Sequence, residues 1–160
     1  MNWLRPLGLV AAMSLSPAAL LAQTSIAMPG MRADPSQPVE ITSETLNVNQ
    51  GSQTAIFSGN VVIIQGDIRI GAQIANVSYS SVTSQITRIL LEGGVTFTTP
   101  TEAAESDRAT YDIGDGALVL EDNVLLTQGG LIMASDRMAA DLAAGTAQLD
   151  GNVRTRLPGN

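Results

Sequence analysis

The sequence predicts an all-β domain, and three observations carry that prediction. First, apolar residues alternate with polar ones over most of the chain. In Thr54 to Ala72, Ala55, Phe57, Gly59, Val61 and Ile63 share one parity, and Ile68, Ile70 and Ala72 share another. Second, Gly, Asn and Asp punctuate the apolar runs at short intervals, as turns require. Third, a short element recurs: Ser58-Gly59-Asn60-Val61, Glu92-Gly93-Gly94-Val95, Glu121-Asp122-Asn123-Val124 and Asp150-Gly151-Asn152-Val153. Val95, Val124 and Val153 are spaced by 29 residues each (124 − 95 and 153 − 124), and Val61 precedes Val95 by 34 (95 − 61). A second element accompanies it at Ile74-Ala75-Asn76-Val77, Arg108-Ala109-Thr110-Tyr111 and Met138-Ala139-Ala140-Asp141, with a looser match at Thr45 to Val48. The domain is therefore about four cycles of short strands and turns.

The chain begins with a secretory signal. Arg5 is its positive region, and Leu7 to Leu21 is a mostly apolar stretch interrupted by Ser14, Ser16 and Pro17. Ala22 or Ala27 precedes the cut, so residues 1–27 form the signal and cleavage region of an exported protein. No later segment is apolar enough to span a bilayer. Residues 28–37 are small, polar or Pro-containing and read as a flexible leader. The β domain then occupies residues 38–158.

Pro38 to Ile41 is a short extended piece, and Glu44 to Val48 is a strand with Leu46 and Val48 on one face. Asn49 to Ser52 turns the chain. The central hairpin folds about Gln65-Gly66-Asp67, and Ile74 to Tyr79 continues it. After a Ser/Thr loop ending at Gln85, Thr87 to Leu91 and Val95 to Thr99 are two strands broken at Glu92-Gly93-Gly94. Ala104 to Ile113, Ala117 to Leu120, Val124 to Thr127, Leu131 to Ala134, Met138 to Leu142, Thr146 to Leu149 and Val153 to Leu157 complete the series. Ala134 to Ala144 has the alanines of a helix, but the repeat aligns it with Glu105 to Gly116, where Tyr111 and the glycines favour strand.

Composition excludes several functions. The 160 residues carry 15 acids against eight arginines and no lysine, for a net charge of −7. Removal of Arg5 with the signal makes that −8 (7 − 15). No basic stripe is available to displace counterions, so nucleic acid is not a partner. Cysteine and histidine are both absent, which removes thiolate catalysis, disulfides, the Ser-His-Asp triad and most zinc sites. Three acidic clusters, Glu102/Glu105/Asp107, Asp112/Asp115 and Glu121/Asp122, suggest glycoside or calcium chemistry only faintly. They fall in expected turns, so no catalytic residue, metal ligand or cofactor is assigned. Aromatic residues are only 3%, so the interior must be aliphatic.

Ile41-Thr42-Ser43-Glu44 to Val48, then Phe57 to Ile70 with its F-x-G-N-V-x-x-x-Q-G run, resemble the OstA-like family, in its periplasmic lipopolysaccharide-transport branch. Weaker matches follow at Val95-Thr96-Phe97 and Ala109-Thr110-Tyr111, and the likeness runs from about Val39 to Leu157. The resemblance implies an antiparallel β-jellyroll, open along one side, with an apolar interior groove. It implies a periplasmic carrier that binds the lipid A acyl chains of lipopolysaccharide and bridges the inner and outer membranes. Its partners would be further copies joined end to end by strand pairing, a membrane-anchored inner-membrane protein and the outer-membrane translocon. The last repeat ends close to Asn160, so an end-to-end contact would differ here in detail.

Lipid carriage needs a dry trough lined by one strand parity and left unfilled by small side chains. The expected lining is Val39, Ile41, Leu46, Val48, Phe57, Val61, Ile63, Ile68, Ile70, Val95, Phe97, Tyr111, Ile113, Leu126 and Met133. Arg32, Arg69, Arg88, Arg108 and Arg137 could meet phosphates, although outward solvated arginines are the simpler expectation. The competing reading is an interaction module of the same fold that docks partners by its sheet edges and carries no lipid.

Overall fold

The structure, a computed structural model, describes residues 25–159. The signal segment up to residue 24, with candidate cleavage residue Ala22, lies outside the described residues. Eleven strands follow one another: β1 (Ile26–Ala27), β2 (Glu40–Thr42), β3 (Thr45–Asn49), β4 (Thr54–Gln65), β5 (Ile68–Tyr79), β6 (Ile86–Thr98), β7 (Glu102–Asp112), β8 (Ala117–Gln128), β9 (Leu131–Asp141), β10 (Thr146–Asp150) and β11 (Arg154–Arg156). A single 3-10 turn, Pro29–Met31, is the only helical piece among the described residues. All pairings are antiparallel, in the order β1-β10-β9-β8-β7-β6-β5-β4-β2, with β3 also on β4 and β11 also on β9. The sheet is open, as expected of the jellyroll, and the central hairpin turns between β4 and β5 where the sequence places it.

The recurring Gly/Asn element has a different role from the one its residues suggested. Its first three copies do not separate strands; they bend them, and only the fourth falls between two strands. Residues 86–98 are one strand, β6, and β8 and β9 likewise run through where two pieces each were expected. Register shifts fall at Ser58/Val61, Glu92/Val95 and Glu121/Val124. There Gly59 and Asn60, Gly93 and Gly94, and Asp122 and Asn123 all take positive φ, as do Gly151 and Asn152 between β10 and β11. Paired left-handed residues insert extra backbone and turn the strand sharply, which is the action of a bulge. The same permissive backbone that makes a hairpin turn makes this kink, so the residues alone could not decide.

The kinks are held from the adjoining segment of the chain. Asn123 Nδ2 donates to Asp107 Oδ2 at 2.8 Å, and Asn152 Nδ2 donates to Asp136 Oδ2 at 2.7 Å. Asn60 Nδ2 donates to Glu44 in the same way. On the inner side, Ser106 and Ser135 hydroxyls donate to the Arg108 and Arg137 carbonyls across the bend of β7 and β9. The helical alternative for residues 134–144 is not adopted; most of it is β9.

Each long strand is thus an angle with two arms, and the arms form two layers over one core. Three inward rows cross the sheet. One layer carries Ile41-Ile63-Ile70-Phe97-Ala104-Leu126-Met133 as successive partners. The other carries Leu46-Phe57-Ala75-Leu91-Ala109-Leu120-Met138-Leu149 and Val48-Ala55-Val77-Ile89-Tyr111-Leu118-Ala140-Ala147.

Candidate functional site

The candidate site is the space between the layers. Of the expected lining, Phe57, Val61, Ile63, Ile68, Ile70, Val95, Phe97, Tyr111, Leu126 and Met133 are buried in a single cluster. Val39, Ile41 and Ile113 are partly buried and pack against it. Leu46 and Val48 are not interior: they are 53% and 64% exposed. Their register with Phe57 and Ala55 puts them on the inward face, but β3 is an edge strand and nothing lies over it. Parity gave the face correctly; coverage depends on the other layer, which no local pattern encodes. The sequence reading passed over Ile89, Leu91, Leu118, Leu120 and Met138, all buried and all in the inner rows. Continuing the same parity through the bend would have found Ile89, Leu91, Leu118 and Leu120, whereas in β9 the parity switches between Ser135 and Met138.

The trough is not empty. Large and small side chains of the inner rows are buried together in one cluster. Ala55, Ala72, Ala75, Ala104, Ala109, Ala140 and Ala147 are all in the core. A polar bridge fastens the layers: Tyr111 OH donates to Gln65 Oε1 at 2.7 Å, with both residues buried. Burial pushes the Tyr111 phenol above its usual pKa, so the bridge keeps its proton.

The open side of the angle, where the hairpin turns end, is covered by residues 26–38. This stretch overlaps the leader expected to lack structure, and that expectation is corrected. Ile26 and Ala27 pair with Ala147 and Thr146. Met28 N–H donates to Gly145 O at 2.8 Å, and Ala33 N–H donates to Leu142 O at 2.9 Å. Arg32 donates through Nε and Nη2 to Ala144 O. Met28 and Met31 are fully buried, and burying each such side chain contributes about 1.5–3 kcal/mol. Their unbranched thioethers fit an irregular gap. The low-hydropathy residues around them hid these two anchors from a composition reading.

Two polar latches hold this strap to the other layer. At its start, Glu102 is buried and accepts Gly30 N–H at 3.2 Å and Gln128 Nε2 at 3.3 Å on Oε1. Its Oε2 accepts the Thr99 and Thr101 hydroxyls, each at 2.6 Å. Burial raises its pKa, but donation from Thr101, Thr99, Gly30 and Gln128 outweighs burial and holds the carboxyl below its ordinary value. Gly30 is required: a Cβ there would overlap the Glu102 carboxylate and the Thr101 hydroxyl. At the strap's end, Gln65 Nε2 donates to Gln37 O at 3.4 Å, so the Tyr111–Gln65 bridge continues into the strap. Beside it lies a cavity of about 360 Å³ lined by Pro35 to Val39, Gln65, Gln85, Ile86 and Ile113.

The charged residues do not converge. Arg88, Arg108 and Arg137 pair across strands with Asp112, Asp122 and Asp150 on the outer face. Glu102 points inward, whereas Glu105 is exposed. Among the described residues, no group of three or more His, Cys, Asp or Glu side chains could hold a metal ion.

Comparison with known proteins places this geometry. A family model described as "LptA/(LptD N-terminal domain) LPS transport protein" matches residues 40–155. An uncharacterized protein of Rhizobium meliloti (strain 1021) is 30% identical over 154 residues, covering 89% of this chain and 83% of that protein. The crystal structure of LptH from Pseudomonas aeruginosa superposes with a TM-score of 0.71 at 12% identity, over 79% of this chain and 99% of that one. LptH is described as the LptA-homologous periplasmic component of the lipopolysaccharide transport device; at this identity the likeness concerns the fold.

Proposed function

The chain belongs to the LptA/LptD N-terminal-domain family of lipopolysaccharide transport proteins, and from that premise we propose that it shields acyl chains of lipopolysaccharide between its two layers while bridging the machinery of the two membranes. The observation that carries this reading is the row Ile41-Ile63-Ile70-Phe97-Ala104-Leu126-Met133. It runs across seven strands without a charged or polar side chain, a continuous hydrocarbon path. Each methylene taken from water onto such a path contributes about 0.8 kcal/mol. A chain of about a dozen carbons would gain roughly 10 kcal/mol gross, so a carrier that passes lipid onward must bury it only in part.

The edges supply the second half of the function. β2 and β3 leave free edges on one end, and β1 and β11 leave them on the other. Further copies, or partner domains of the same fold, would add strands there. The chain acts in the periplasm, after export. Pairing of Ile26 and Ala27 with β10 supports cleavage after Ala22 rather than Ala27, which keeps the strap whole. Intact-mass measurement of the exported protein then gives Gln23 as its first residue.

The packed interior favours a second reading, an interaction module that docks by its edges alone. Uptake of a fluorescent acyl probe separates the two. A saturable signal that lipopolysaccharide displaces supports carriage. No uptake, together with intact edge-to-edge association, supports the docking module.

A further inference from the structure

We propose that residues 26–38 are a displaceable strap and that the acyl chain enters through the seam beneath it, taking the place of Met28 and Met31. This rests on the carriage reading above and adds where and how the interior opens.

Three observations converge on the strap. The interior is filled as it stands, so a hydrocarbon chain must displace something. The inner side chains of β4 to β9 ride on backbone that is laddered on both sides along the sheet. Met28 and Met31 are different: both are fully buried, yet they ride on a segment whose own ladder is only two residues of β1. The strap's other holds are separate hydrogen bonds: from Met28, Arg32 and Ala33 to the Leu142–Gly145 turn, between its start and Glu102 and Gln128, and between Gln37 and Gln65 near its end. Segments with few ladder bonds open at lower free energy than the core they cover. The family match begins at residue 40, so the strap precedes the part of the chain that the family model describes.

The seam also has the chemistry of an entrance. Beneath the strap's far end, the 360 Å³ cavity joins apolar Val39, Ile86 and Ile113 to the polar pair Gln65 and Gln85. An acyl chain would lie along the apolar wall. Gln65, freed from Gln37 O, would keep its bond from Tyr111. Met28 and Met31 would then trade one apolar surrounding for another, or for solvent. Binding is accordingly coupled to strap release, and the closed strap keeps the interior dry when no lipid is present.

The chain has no cysteine, so a tether can be introduced cleanly. Ala27 and Thr146 are antiparallel partners at the strap's start. Such partners stand about 4.5–5.5 Å apart between Cα atoms, within reach of a disulfide. The test measures the uptake rate of a fluorescent dodecanoyl probe by the exported protein carrying Ala27→Cys and Thr146→Cys, oxidised and then reduced. The expected result is uptake slowed on the order of tenfold when oxidised and restored on reduction. Gly30→Ala, which wedges the strap from Glu102, should accelerate uptake. A second readout is hydrogen exchange in the wild type: the Met28, Gly30 and Ala33 amides should lose protection when probe binds. Equal rates oxidised and reduced, with those amides equally protected in free and bound protein, overturn the strap and leave carriage standing. No uptake by any form overturns carriage, and the strap's role with it.

Discussion

Asn60 and Asn123 stand at the bends of β4 and β8, and Asn152 at the step from β10 to β11. Each sits at positive φ and ties its side chain to an acid on an adjoining segment. Asparagine tolerates the left-handed region better than most side chains, and glycine before Asn60 and Asn152 removes the steric cost there. Gly59→Ala should therefore cost about 1–3 kcal/mol of stability in urea unfolding, because φ there is +83° and the new Cβ would meet the Glu44 carboxylate at 2.6 Å. Gly129→Ala is the comparison: its φ of +53° is strained too, but nothing lies within 4 Å, so the loss should be smaller. Tyr111→Phe removes the donor to buried Gln65 Oε1 and should cost about 1–3 kcal/mol. An unchanged unfolding midpoint would mean the two layers are not fastened there.

At the scale of elements, the strap and the edge strands carry the testable consequences. Met31→Ala should destabilise toward the low end of about 2–5 kcal/mol, since local opening of the strap limits the loss. A leader without structure would lose nothing. Glu102 makes the strap sensitive to acid. Its folded-state pKa lies below the ordinary value of 4.5, so the stability it contributes is complete above that value. It is lost as pH falls through the lower folded-state pKa. The wild type should lose unfolding free energy more steeply below pH 4.5 than Glu102→Gln does, measured as urea midpoints along a pH series. On β3, Leu46→Lys and Val48→Lys should weaken self-association in sedimentation while leaving unfolding within about 0.5 kcal/mol, because both side chains are exposed.

How much of this was legible in the sequence also divides by element. The hairpin of β4 and β5, the parity of its inner face and the repeat were readable, because alternation and turn chemistry are local. The bend was not: Gly-Asn at a kink and Gly-Asn at a turn present the same residues, and only the partner strand distinguishes them. The strap was missed for a related reason. Met28 and Met31 are isolated apolar residues among Pro, Gly and Ala, and the groups that hold their segment, in Glu102, Leu142 and Gly145, are 70 or more residues away. The inner rows were legible as apolar because strand parity is local, and the alanines among them are buried with the larger side chains.

For the molecule as a whole, an aliphatic interior lies under the 26–38 segment, with a sheet edge at each end among the described residues. With a net charge of −7 and three arginines already paired to acids, the proposed carriage of an anionic lipid would draw its affinity from hydrocarbon burial. Probe affinity should accordingly change little between low and high salt; a steep loss with salt would assign the binding to headgroup charge.

The most direct measurement is photocrosslinking to lipopolysaccharide in living cells from neighbouring positions on opposite faces of the same strands. Phe97 and Leu126 are buried on the inner row, while Thr96 and Leu125 beside them face outward. Adducts from Phe97 and Leu126, absent from Thr96 and Leu125, are the predicted result. Adducts from the outward pair alone, or equally from both faces, would contradict an acyl path between the layers.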